Sequence, residues 1–209
     1  MPDPLYLSLW FPTFRAEEML TRALPVLQQF PFAAAHPGIT YLAVQPISWN
    51  EPSVLERRFV PPVTPPEALE IAREFAQDDY ALTFEAYWEL WTPATNGADS
   101  ALAAAAGAGA AWSRQESKVS FILHGTEFDE GTYTEDGHIE IDFGLDYPFL
   151  HEELDLAPAD QQRVRDNVAQ LIGYIQNLEK NCRLTGRVLW SESEANLAQK
   201  LIARLQRIQ

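Results

Sequence analysis

Residues 119–146 read VSFILHGTEFDEGTYTEDGHIEIDFGLD. Both ends of this stretch alternate with period two, the repeat of a strand that is greasy on one side only. Val119, Phe121 and Leu123 point one way, and Ser120, Ile122, His124 and Thr126 the other. On the return, Ile139, Ile141 and Phe143 share the apolar side, while His138, Glu140 and Asp142 share the polar one. Residues 118–128 and 138–147 therefore read as two strands, joined by a turn-rich loop at 129–137 that holds Gly131 and Gly137. Antiparallel pairing that sets His124 opposite His138 also sets Ile122 opposite Glu140, with opposed Cβ atoms about 5 Å apart.

That register gathers chemistry. His124, His138 and Glu140 converge on one patch of the polar side, and two imidazoles with a carboxylate are a ligand set used by divalent zinc and iron. His151 and the carboxylates of the loops stand nearby in sequence. The spacing is not a metal signature, because no His-x-His, His-Glu-x-x-His or paired cysteine occurs. The same residues also suit a plain solvated sheet face. Glu127, Asp129, Glu130, Glu135 and Asp136 crowd the loop without the ligand spacing of a calcium-binding EF-hand. They read either as solvated turn residues or as a surface that attracts a cationic partner.

Charge supports the second reading. From Val119 to Gln162 there is no lysine or arginine, but there are twelve acidic residues and three of the four histidines. The whole chain of 209 residues carries a formal charge of −15, and neither half is basic. Nucleic acid and anionic membrane surfaces are repelled by such a chain, whereas a basic protein is attracted. No apolar run approaches the ~18 residues of a spanning helix. The start, Met1-Pro2-Asp3-Pro4, lacks the positive region of a secretory signal. A cytoplasmic, bacterial-type protein is the expectation. Cys182 is the only cysteine, which excludes an intrachain disulfide, and it reads as a packing residue.

Outside the quoted stretch the chain falls into two halves. Residues 94–111, ATNGADSALAAAAGAGAA, read as an Ala/Gly-rich linker, without the lysine that a phosphate-binding loop needs after its glycines. Residues 1–93 run strand (5–11), helix, strand (39–49), strand (54–60), helix, strand (80–91), which is the ferredoxin-like β-α-β-β-α-β order. Thr13 suits the cap of the first helix, and Pro25 should kink or end it. In that arrangement the second strand, interrupted by Pro46, lies on an edge, and the charged third strand, with Glu56, Arg57 and Arg58, is awkwardly central. Residues 112–209 read β-β-α-β-α, with the strongest helical pattern starting at Pro158 and a last helix after a Ser191–Glu194 capping box. The fold class is α+β, with mainly antiparallel sheets and helices on one face.

Three functions fit these residues. The first is a non-catalytic protein that binds a basic protein partner through Glu127, Asp129, Glu130, Glu135 and Asp136. The second is a metal-dependent hydrolase that uses His124, His138 and Glu140. The third is a small-molecule binder with an aromatic cleft between the halves, drawn from Trp88 and Trp91 on opposite faces of their strand. No cofactor is implied beyond a divalent metal, no Gly-x-Ser-x-Gly elbow or dinucleotide fingerprint occurs, and exposed strand edges favour a homodimer.

Overall fold

A computed structural model describes residues 3–93, 112–150 and 156–191. Its strands are β1 (Pro4–Trp10), β2 (Ile39–Pro46), β3 (Leu55–Val63), β4 (Tyr80–Pro93), β5 (Trp112–His124), β6 (Ile139–Leu145) and β7 (Gly186–Ser191). Its α-helices are α1 (Ala16–Gln28), α2 (Pro65–Ala72), the short α3 (Thr132–Glu135) and α4 (Tyr147–Leu150), and α5 (Pro158–Asn181). All seven strands form one sheet in the order β3-β2-β4-β5-β6-β1-β7, with every recorded pairing antiparallel. The α+β class is as expected.

The strand order departs from the ferredoxin-like arrangement. There β1 would pair within the first half; here it pairs with β6 and β7, both from the second half. The reason lies in β4 and β5. They are the longest strands, and they pair without interruption from Ala81–His124 to Pro93–Trp112. That ladder takes the β4 edge a ferredoxin-like β1 would need. The halves on either side of residues 94–111 thus share a sheet and a core; the linker itself lies outside the described residues, as do the capping box beyond Ser191 and the last helix.

The charged third strand also finds its explanation. β3 is an edge strand and not a central one. Glu56, Arg57, Arg58 and Val60 are exposed there, and Pro61 and Pro62 follow; charge and proline are what discourage an edge from pairing further. β2 lies inside the sheet, and Pro46 is its last residue, where the missing N–H does least harm.

One face of the sheet is the core. Leu5, Leu7 and Leu9, Leu82, Phe84 and Trp88, and Val119, Phe121 and Leu123 are all sealed from solvent, as alternation requires. Helices α1, α2 and α5 supply the opposing apolar side chains, among them Met19, Leu27, Leu69, Leu171 and Leu178. Trp88 packs on Phe30 of the first half and on Phe143 and Phe149 of the second, so it fuses the halves and lines no cleft between them. No helix among the described residues is long and apolar enough to cross a membrane.

Two helix termini show how tertiary contacts override local signals. The cap of helix α1 is Arg15, two residues beyond the expected one: Thr13 bonds Glu18, and the Ala16 N–H donates at 3.0 Å to Oδ1 of Asp78, from the turn before β4. Pro25 does not end the helix, which runs on to Gln28. On the other side of the core, β2 leaves β4 at Ala86, and α5 lies along the edge that is freed. Buried Asn167 completes that edge as a strand would. Its Oδ1 accepts from the Trp91 N–H at 2.8 Å, and its Nδ2 donates to the carbonyls of Trp91 at 2.8 Å and Pro148 at 2.9 Å. Replacing it leaves three backbone groups without a partner in a largely buried site. Asn167→Leu, similar in volume, is expected to cost about 2–4 kcal/mol, measured as the loss in unfolding free energy from urea titration.

Candidate partner-binding surface

The quoted hairpin forms as its alternation dictates. β5 and β6 pair with Ile122 opposite Glu140, and the His124 N–H donates to the His138 carbonyl at 3.0 Å. The two histidines are therefore neighbours. Their surroundings are not those of a solvated face. His124 is 1% exposed and His138 8%. Loops fold over this end of the polar side and build a second, aromatic core. The His138 ring lies 4.1 Å from Tyr133 and 5.3 Å from Phe14, and the His124 ring meets Phe128 and the edge of Trp49.

Both imidazoles are committed to this packing. Nδ1 of His138 accepts from the Phe11 N–H at 3.0 Å, which requires an unprotonated Nδ1. His124 Nδ1 donates to the Gly137 carbonyl at 2.8 Å. Burial holds His138 down to about 4, with the His124 charge a smaller cause, and burial also lowers His124. Both rings are neutral near pH 7. Glu140, flanked by Ile122 and Ser8 across the strands, is half-buried, and burial, then Asp136 and Asp142, push it up to about 7. Among the described residues no three His, Cys, Asp or Glu side chains are grouped to hold an ion. The expected metal set of His124, His138 and Glu140 is thus a packed pair of rings beside a reluctant carboxylate. His151 lies outside the described residues. Cys182 is buried, and burial pushes its thiol up to about 11, which suits a packing residue.

The loops that cover the histidines carry the exposed chemistry. Three meet at one end of the sheet: 47–54 after β2, 77–79 before β4, and 125–136 between β5 and β6. Gly125 lets them close. A Cβ there would sit 2.3 Å from the Asp78 carbonyl, and the Glu127 N–H donates to that same carbonyl at 2.7 Å. Ile47 is the tightest point. Its N–H donates to the Asp79 carbonyl at 2.7 Å, and its carbonyl accepts from the Asp129 N–H at 2.8 Å. Between these two bonds Ile47 is held at φ 64° and Asp129 at φ 35°. For a β-branched residue the left-handed region is strained by about 1–2 kcal/mol. The strain does not bury the side chain: Ile47 is 60% exposed and Trp49 46%. The Trp49 N–H donates to Asp129 Oδ2 at 3.3 Å, and its ring rests on Phe128.

Carboxylates are concentrated in the same loops as this apolar pair. Glu51, Asp78, Asp79, Glu127, Asp129, Glu130, Glu135 and Asp136 lie in the three loops, which contain no lysine or arginine. Glu127, Glu130 and Glu135 are exposed, Asp129 and Asp136 half-exposed, and none of the five forms an ion pair among the described residues. Arg15, in the neighbouring 11–15 loop, is a positive charge felt at Tyr133. An open depression of about 320 Å³ lies among residues 126–134. The five acidic positions picked out by the sequence are thus at one end of the molecule. Ile47 and Trp49 were missed, although two large apolar residues inside the turn-rich run Pro46–Ser53 were a signal.

Compared with family models, curated proteins and solved structures, the chain matches none.

The buried titratable groups set a pH dependence. An unfolded glutamate loses its proton near 4.5. Between 4.5 and about 7 only the unfolded chain ionises at Glu140, so stability falls as pH rises through that window. Glu140→Gln is expected to leave stability unchanged at pH 4 and to raise it by roughly 1–3 kcal/mol at pH 8, as read from urea unfolding. His138 acts in the opposite sense. Its folded value of about 4 lies below the unfolded 6.5, so stability is lost as pH falls through that interval. Imidazole NMR is expected to show His138 neutral at pH 5.5 in the folded protein.

Proposed function

We propose that this protein is a non-catalytic binding protein whose three-loop end receives a basic protein partner. Ile47 is the observation that carries the reading. A β-branched side chain held in a strained conformation and kept out of the core costs stability, and such strain persists where an exposed shape is used. Ile47 and Trp49 serve as the apolar anchor, since tryptophan is among the side chains that dominate interface energies when water is excluded. Glu127, Asp129, Glu130, Glu135 and Asp136 form the rim. They steer a cationic surface into place and discourage anionic competitors. The neutral, buried histidines beneath support the loops and perform no chemistry in this reading.

The test uses two variants that separate folding from binding. Ile47→Gly removes the anchor while relieving the backbone strain, so stability should hold or rise. Trp49→Ala removes the second anchor. Affinity purification from the native host is expected to yield a basic protein, bound more weakly at high salt than at low. Each variant should weaken that complex by roughly tenfold or more in calorimetry. A chain that retains no partner at either ionic strength, or whose partner binds Ile47→Gly and Trp49→Ala as tightly as the parent, overturns the proposal.

A further inference from the structure

The opposite end of the sheet holds a different feature. β6 accompanies β5 only from Leu123–Ile139 to Ser120–Asp142. Asp142 Oδ1 then accepts from the Gly144 N–H at 2.7 Å, Gly144 turns at φ 75°, and the chain leaves for α4. Alongside residues 113–118, β5 keeps β4 on one side and has no strand among the described residues on the other. The space β6 vacates is a cavity of about 210 Å³. Thr92 and residues 115–117 line one side, and Leu145, Tyr147 and Pro148 the other.

One of its polar groups is unspent. Thr92 is 5% exposed, and its hydroxyl oxygen is covered and bonded to nothing. A buried hydroxyl without a partner is costly, and a ligand met by rotation of the Thr92 side chain toward the cavity recovers that cost. Antiparallel strands turn the N–H and C=O of alternate residues to alternate sides. The His124 N–H faces β6 and the Gly125 N–H faces β4, so the peptide groups of Glu116 face the vacated side. The Glu116 carboxylate is engaged elsewhere, with His36 at 2.8 Å, and the Gln115 amide with Ser113 at 3.3 Å, leaving hydroxyl and peptide groups for recognition. Neither lysine nor arginine is among the described residues that line it.

We infer that this cavity binds a neutral, hydroxyl-rich small molecule of about monosaccharide size. The volume equals that of about seven waters in the liquid, which suits a single sugar ring and no larger polymer unit. Thr92, Ser117 and the Glu116 peptide both donate and accept, as alcohols demand of their partners. Leu145, Pro148 and the Tyr147 ring offer the apolar wall that a sugar's C–H face needs. Anions find no cation among the described lining residues, in a chain of net charge −15. A second copy of the chain is a poor occupant: self-pairing centred on Glu116 would set that residue against itself and Arg114 against Lys118. The site is independent of the three-loop surface.

The probes are glucose, galactose, N-acetylglucosamine and myo-inositol, with glucose 6-phosphate as the charged control. Saturation-transfer NMR and calorimetry are expected to detect at least one neutral probe at millimolar concentration. Amide shifts should centre on Thr92, Glu116, Ser117 and Tyr147. Thr92→Val keeps the shape and removes the orphaned hydroxyl, so it should fold at least as stably as the parent and bind roughly tenfold more weakly. Absence of binding by every neutral probe, equal binding by Thr92→Val, equal binding of glucose 6-phosphate, or shifts centred elsewhere would each overturn the inference.

Discussion

The ladder between β4 and β5 is the constraint on which the molecule depends. It runs without a bulge from Ala81–His124 to Pro93–Trp112, across the junction of the two halves. Its inner face, from Leu82, Phe84 and Trp88 on one strand to Phe121 and Leu123 on the other, is the centre of the core. Because the ladder holds one edge of β4 along its length, β1 must find neighbours elsewhere, and it joins β6 and β7. Because it outruns both flanking strands, one stretch of β4 edge is left for Asn167 and one stretch of β5 edge beside the cavity at Thr92.

Both candidate binding features are the ends of this ladder. At one end the turns before β4 and after β5 interlock through Gly125, and they fix the backbone of Ile47 from both sides. At the other end the ribbon projects past β6 and leaves peptide groups turned to a gap. The stability costs also sit at these places. Ile47 is strained, Glu140 is kept from ionising, His138 is kept from protonating, and the Thr92 hydroxyl has no partner. A core as continuous as this one tolerates such costs.

Much of this was legible in the residues. The alternation in 119–123 and 139–143 named the buried face, and the register that set Ile122 opposite Glu140 followed from the same pattern. The long helix from Pro158 and the strand at 186–191 were equally plain. His124 and His138 were correctly placed side by side, yet their surroundings were misread, because the rings that cover them arrive from residues 11–14, 49 and 128–133. The charged third strand was a warning: Arg57 and Arg58 cannot sit comfortably in mid-sheet, and the structure puts them on an edge.

Local chemistry, acting between residues a few positions apart, determined which segments became strands or helices, which side of each is greasy, and where the unbalanced negative charge lies. Period-two and period-3.6 patterns are properties of the chain by itself. Tertiary structure alone decided which strand lies beside which, that two polar histidines are sealed in an aromatic pocket, and that an isoleucine is held outward under strain. Those outcomes depend on competition among distant edges and loops for the same partners, and no short stretch of sequence records who wins.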